Sequence, residues 1–147
     1  LVIWCGGFRA SPIAREAGLQ VNARGQIIVD EHLRSSDPDI HAIGDAAAFR
    51  NLGMQCATAM PMGAYVADFL AGDAAGPFSF SYALTCISLG RGDGIIQLKH
   101  ANDTPRERFI SGRAGAWTKE LVCRFALLSV KMERLGVPYW WPKTIAA

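Results

Sequence analysis

The sequence predicts an α/β segment followed by an α+β segment, and three observations carry that reading. Ile40, Ala42 and Ile43 form a short apolar run that ends in Gly44-Asp45 and then in the small residues Ala46 to Ala48. That is the pattern of a buried strand presenting a carboxylate at its carboxyl end, where ligands sit in open α/β sheets. Met62, Tyr65, Val66, Phe69 and Leu70 recur at i, i+3, i+4, i+7 and i+8, which makes one apolar helix face. Two alternating runs then flank the turn Gly90-Arg91-Gly92-Asp93-Gly94, and a long amphipathic stretch follows, as expected of an antiparallel meander with a covering C-terminal helix.

Composition narrows the function classes. The 147 residues fit one domain or parts of two, and 50% of them are hydrophobic, so a core is within reach. The net charge of +2 comes from interspersed signs, which leaves no nucleic-acid footprint. No apolar run of about 18 residues predicts a membrane span, and no secretory signal is visible. Cys5, Cys56, Cys86 and Cys123 are widely spread, each in an apolar stretch and none at metal-ligand spacing. They read as free buried thiols of a cytoplasmic protein, and no metal site assembles by spacing.

Taken in order, residues 1–4 read as a buried parallel strand, followed by a turn at Gly6-Gly7. Residues 11–17 suit one short helical turn with Pro12 at an early position. Residues 19–21 and 26–29 read as short strands around the Ala23-Arg24-Gly25 hairpin turn, in which Gly25 takes positive φ. A polar loop over 30–36 leads to the Gly44-Asp45 strand, and a second loop covers 45–55. The next helix spans 58–71, with Thr58 as N-cap, Pro61 in the first turn and Gly72 as the stop. Residues 72–77 form a linker. Strands are expected over 78–86, 95–100 and 109–111, with a polar turn over 101–107. The last helix, 116–135, carries Trp117, Leu121, Phe125, Leu128, Met132 and Leu135 on the face expected to cover the meander. Gly136 and Pro138 end it, and Arg124 and Lys131 exclude it as a membrane span. The tail Tyr139-Trp140-Trp141 suits either an anchor at a membrane surface or packing on the protein's own core or a second subunit.

The run Ile40-His41-Ala42-Ile43-Gly44-Asp45 resembles the second flavin-binding motif of the FAD-dependent pyridine-nucleotide oxidoreductases. The flanks Gly25-Gln26-Ile27-Ile28-Val29-Asp30, Leu33-Arg34-Ser35 and Met60-Pro61-Met62-Gly63 resemble the same family, in particular its type II, quinone-reducing NADH dehydrogenase branch. The resemblance implies a definite architecture. Residues 1–76 would close the NADH-binding domain and complete a doubly wound FAD/NAD(P)-binding sheet, and residues 77–147 would form the C-terminal domain. It implies that Asp45 holds the flavin ribitol, that Gly44 and Ala46 make room, and that the helix start at Thr58, Ala59 and Met60 faces the flavin ring. Gly6-Gly7 matches the family's turn beside the cofactors, and reads equally as a plain strand-to-loop turn. In the quinone-reducing branch a Gln stands near the position of Met60, and here Met60 is also a core-packing candidate.

Neither G-x-G-x-x-G dinucleotide turn of such enzymes occurs in the sequence, which also begins within an apolar run and without Met. The expectation is therefore a C-terminal piece whose partners are N-terminal dinucleotide-binding domains, with FAD as cofactor and NADH as substrate. The His-Glu pair of the disulfide-reducing relatives, H-x-x-x-x-E, does not occur, which favours a quinone as acceptor. No catalytic residue is singled out. His32, His41 and His100 are isolated from any hydrolase motif; His41 reads as a satisfied core histidine and His100 as solvated. The competing reading of the piece by itself is a non-catalytic folding, homodimerisation or membrane-surface module, peripheral at the inner face of the membrane.

Overall fold

Pro12 has its φ fixed near the helical value and caps the first helix, α1 (Ile13–Glu16). The computed structural model describes residues 1–3, 7–73, 76–100, 104–137 and 139–143, and the chain divides into two units, Leu1–Phe78 and Ser79–Ala147.

In the first unit Asn22 builds the hairpin. Its side-chain oxygen accepts the N–H groups of Arg24 and Gln26, and Gly25 turns the chain at φ +80°. The strand after the turn is short, β1 (Ile27–Ile28), and Val21 pairs with Ile27 through a single antiparallel bridge. β1 pairs in parallel with β2 (Ala47–Ala48), inside the stretch expected as loop. The second helix, α2 (Cys56–Ala71), starts two residues earlier than expected, and Gln55, not Thr58, is its N-cap. Gly72 ends it at φ +84°, where bonds from Gly72 N to Phe69 O and from Asp73 N to Asp68 O close a Schellman motif. Met62 and Tyr65 of the predicted face are buried, while Leu70 is exposed. Phe78 packs edge-on against Phe49 and Tyr65.

Two strand expectations in this unit fail. Leu1 to Ile3 are exposed and pair with nothing among the described residues, because a parallel strand needs a neighbour to bond to; Trp4 and Gly6 lie outside those residues. The run before Gly44 is extended but is no ladder strand. It makes one bridge, Arg34 to His41, and both Ile40 and Ile43 are exposed. The loop before it is less polar in effect than its composition, since Leu33 is fully buried at φ +60°. Asp30 holds that conformation. Its Oδ1 accepts the N–H groups of His32 and Arg34 at 2.8 and 2.9 Å, and its Oδ2 accepts Arg34 Nε at 3.0 Å. His41 is not a satisfied core histidine: its Nε2 is buried with no hydrogen-bond partner among the described residues, beside the ring of Phe69.

In the second unit the meander is β3 (Leu84–Ser88), β4 (Gly94–Lys99) and β5 (Pro105–Ile110), paired antiparallel in sequence order. The alternation over 78–86 is real in burial, with Phe78 buried at the end of the first unit and Phe80 and Tyr82 buried in the second, but it is not all strand. Ser79 and Ser81 instead bond to the C-terminal tail, through Trp141 Nε1 to Ser79 O at 2.9 Å and Ser81 N to Pro142 O at 3.1 Å. β5 begins at Pro105, inside the expected turn, where proline is tolerated as the first residue of an edge strand.

The last helix, α3 (Gly112–Glu133), runs on from Ser111 and packs on β3 and β4 with the opposite face to the one expected. Gly115 and Ser129 are its buried residues, and a Cβ on Gly115 would collide with the carbonyl of Gly94. A backbone-to-backbone approach leaves no room for large side chains, so Trp117, Leu121, Phe125, Leu128, Met132 and Leu135 are all exposed. The three described thiols are free as expected but not buried: Cys56 and Cys123 are exposed and Cys86 is half-buried, and Cys5 lies outside the described residues.

Asp30 links the first unit's stability to pH. Partial burial raises its carboxyl pKa, but the backbone N–H groups of Arg34 and His32 and the Arg34 guanidinium outweigh that and hold it below the usual 3.8. A folded-state pKa that is depressed contributes stability above the unfolded value and loses it as pH falls through the folded one. Asp30→Asn should therefore be less stable at neutral pH and should flatten the acid limb of the urea midpoint between about pH 5 and pH 2. An unchanged acid limb would remove Asp30 from that role.

Candidate functional site

Gly44, Asp45 and Ala46 form one turn of 3₁₀ helix between extended Ile43 and β2. Gly44 sits at φ +60°, and a Cβ there would lie 3.1 Å from the Cβ of Ala59. Only glycine lets the turn press this close to α2. The thioether of Met62 accepts the Gly44 N–H at 3.2 Å, so Met62 supports the turn from the next helical position inward.

The other side of the turn is held by Gln26, which is 5% exposed. Its Nε2 donates to the carbonyls of Ala47 at 2.9 Å and Asp45 at 3.3 Å, and its Oε1 accepts Asn22 Nδ2 at 3.1 Å. A buried amide with its partners satisfied fixes geometry well. The turn is thus clamped between a helix and a hairpin, while the Asp45 side chain stays exposed with no hydrogen bond or ion pair among the described residues.

Asp45 and Ala46 line a cavity of about 240 Å³ with Phe8, Arg9, Ala10, Ser11 and Met54. The Ala10 N–H bonds to Arg24 O at 2.9 Å, which ties that wall to the hairpin. The volume is below the roughly 300–1,000 Å³ of sites that enclose a whole small molecule. It suits part of a larger cofactor. An unpartnered carboxylate, acceptor-only when ionised, fits a chain of hydroxyl groups there.

Of the residues singled out from sequence, Gly44, Asp45, Ala46 and Ala59 come together in this place. Met60 is half-buried on the first turns of α2. Thr58 is 1% exposed, and its hydroxyl lies 2.8 Å from Gln55 O and 3.0 Å from Gly53 O, so it secures the helix start. Gln26, Met62 and Gln55 were not legible as site residues. The one signal for Gln26 was a polar side chain directly before the apolar pair Ile27-Ile28. His32 and Tyr65 form a separate pair: His32 Nδ1 is 2.7 Å from the Tyr65 hydroxyl, which donates to Gly76 O at 2.8 Å. Burial, then the charges of Asp30 and Glu31, push the Tyr65 hydroxyl pKa up despite Arg34. No group of three or more His, Cys, Asp or Glu suited to a metal occurs among the described residues.

Residues 1–63, which include this turn, match the family model described as pyridine nucleotide-disulphide oxidoreductase. The chain is 40% identical over 82 residues to the nitrite reductase [NAD(P)H] large subunit of Klebsiella oxytoca, covering 54% of this chain and 8% of that protein. It is 42% identical over 55 residues to the NADH oxidase of Lactococcus lactis subsp. cremoris, covering 37% of this chain and 12% of that one. Among solved structures, reduced Bacillus anthracis CoADR-RHD aligns with a TM-score of 0.52 and 26% identity, over 64% of this chain and 18% of that chain. The chain thus spans about a tenth of the curated relatives it matches. Residues 1–63 are thus similar to the pyridine nucleotide-disulphide oxidoreductases.

The clamp has a measurable consequence. Gln26→Leu keeps the volume but leaves the carbonyls of Asp45 and Ala47 without their donor, at a cost of about 2 kcal/mol. Urea unfolding of the variant should show that loss, and a loss well under about 0.5 kcal/mol would mean that Gln26 does not hold the turn.

Proposed function

We propose that this chain is the C-terminal part of an FAD-dependent oxidoreductase that passes a hydride from NADH to FAD and on to an acceptor such as a quinone. The observation that carries the reading is the exposed Asp45 carboxylate, unpartnered among the described residues, on a turn fixed from both sides and lining a cavity. When bound, FAD supplies the hydride-accepting and electron-transferring chemistry. The chain's own part is binding and orientation. Asp45 accepts hydrogen bonds from the ribitol hydroxyls, Gly44 and Ala46 keep the approach clear, and the first turn of α2, with Ala59 and Met60, borders the flavin. The positive end of the α2 dipole favours negative charge there. The quinone as acceptor rests on the missing H-x-x-x-x-E spacing. The doubly wound sheet is proposed to be completed by N-terminal dinucleotide-binding domains, and the chain alone is proposed to be inactive.

With those domains supplied on a fused N-terminal segment, the protein should retain flavin after desalting and oxidise NADH. Asp45→Ala should weaken FAD binding by roughly ten- to a hundredfold, the worth of a charge-assisted hydrogen bond. Asp45→Asn should keep part of that affinity. Equal flavin retention by Asp45→Ala and the parent would refute the assignment of Asp45.

A second reading is favoured by α3. Five large side chains on its outer side, from Trp117 to Met132, and Leu135 just past its end are exposed together, and an apolar face of this size marks an association surface. On this reading the chain forms a homodimer through α3. Light scattering should give twice the 15.9 kDa chain mass. Phe125→Glu with Leu128→Glu should return the monomer; a monomeric parent would dispose of the idea.

A further inference from the structure

The second unit carries a cavity of about 450 Å³ bordered by Tyr82, Lys99, Arg106, Trp140 and Lys143. Among the described residues, three cations and no carboxylate line it. Among the described residues the ion pairs are His32–Glu31, Arg34–Asp30 and Arg124–Glu120, so none of these three cations is neutralised there. Like charges facing one cavity repel, and an anion between them turns that repulsion into attraction.

The cations are also placed in advance. Lys99 Nζ stands 4.3 Å above the centre of the Tyr82 ring, and Lys143 Nζ stands 5.5 Å from the centre of the Trp141 ring. Cation–π contacts of this kind hold the ammonium groups in position without consuming their charge. The wall that bears Lys143 is itself fixed, by Trp141 Nε1 to Ser79 O and by Ser81 N to Pro142 O. Arg106 lies on β5 and adds a planar guanidinium, whose fork matches phosphate oxygens in pairs. Trp140 is 79% exposed and lines the same cavity.

We propose that this cavity binds an oligophosphate group, with Lys99, Arg106 and Lys143 as its charge partners. The site is independent of the flavin reading, since every described lining residue belongs to the second unit. Three cations facing one cavity select multiply charged anions over monovalent ones, and the 450 Å³ volume admits at least two linked phosphates.

The test is a titration of the chain with inorganic pyrophosphate, followed by tryptophan fluorescence. The expected result is a saturable change that weakens with added salt. The double variant Arg106→Gln, Lys143→Gln should bind at least about tenfold more weakly. The charge-keeping variant Arg106→Lys, Lys143→Arg should retain binding, which separates lost charge from lost fold. Co-pelleting with vesicles of cardiolipin in phosphatidylcholine, whose anionic headgroup carries two phosphates, then identifies the source. Pelleting that pyrophosphate competes away assigns a lipid phosphate, and pyrophosphate binding without pelleting assigns a free anion. No saturable response, or a response that the neutral double variant keeps, overturns the site.

Discussion

The first unit depends on a contact that only a missing side chain permits. Gly44 presses its backbone onto Ala59 of α2, and every feature of the Asp45 turn follows from that approach. Because the turn cannot move toward the helix, its position is set by the helix. Because Gln26 holds the carbonyls of Asp45 and Ala47 from the other side, it cannot move away either. The carboxylate is free to bind because the backbone beneath it is not free to relax. Rigid support of an exposed polar group keeps the ordering cost of ligand capture small.

The second unit uses the same device for a different end. Gly94 and Gly115 let α3 lie directly on the sheet backbone, so the helix meets the sheet with small residues. Its large residues are then turned outward by geometry, since the two helix faces cannot both be buried on one sheet. At about 25 cal/mol per Å² of apolar surface, leaving a single Phe or Leu in water forgoes roughly 1.5–3 kcal/mol. Five such side chains on one face of α3, with Leu135 just past its end, are a large unrealised stabilisation, which is the physical basis for reading that face as an association surface.

What the sequence made legible divides along the same line. Turns set by φ were readable: Gly25, Gly72 and Pro12 each act as their chemistry requires. The helices and the antiparallel meander were readable from periodicity, with ends shifted by a few residues. The strand before Gly44 was not: of its apolar residues only Ala42 is buried, and its one bridge is to Arg34. The face of α3 was misread for a related reason. Periodicity marks the most hydrophobic stripe, whereas packing distance is set by the smallest residues, Gly115 and Ser129. At the site, Gly44 and Asp45 were visible as a motif, but Gln26 was not, since its role lies in contacts 19 and 21 residues away in sequence.

Magnitudes decide how much of a flavin site this chain can supply. A hydrogen bond from a ribitol hydroxyl to the Asp45 carboxylate is worth about 1.5–3 kcal/mol. Micromolar affinity requires about 8 kcal/mol. The cavity of 240 Å³ encloses part of a cofactor, and the sequence holds no G-x-G-x-x-G turn to seat a pyrophosphate on a helix N-terminus. On the proposed reading, Asp45 therefore positions and selects more than it retains, and the greater part of the affinity comes from the dinucleotide-binding turns. That partition explains why the clamp around Asp45 is built for precision. A group contributing a minor share of binding matters through where it places the flavin, and a displacement of about 1 Å in such a site is enough to cost two orders of magnitude in rate.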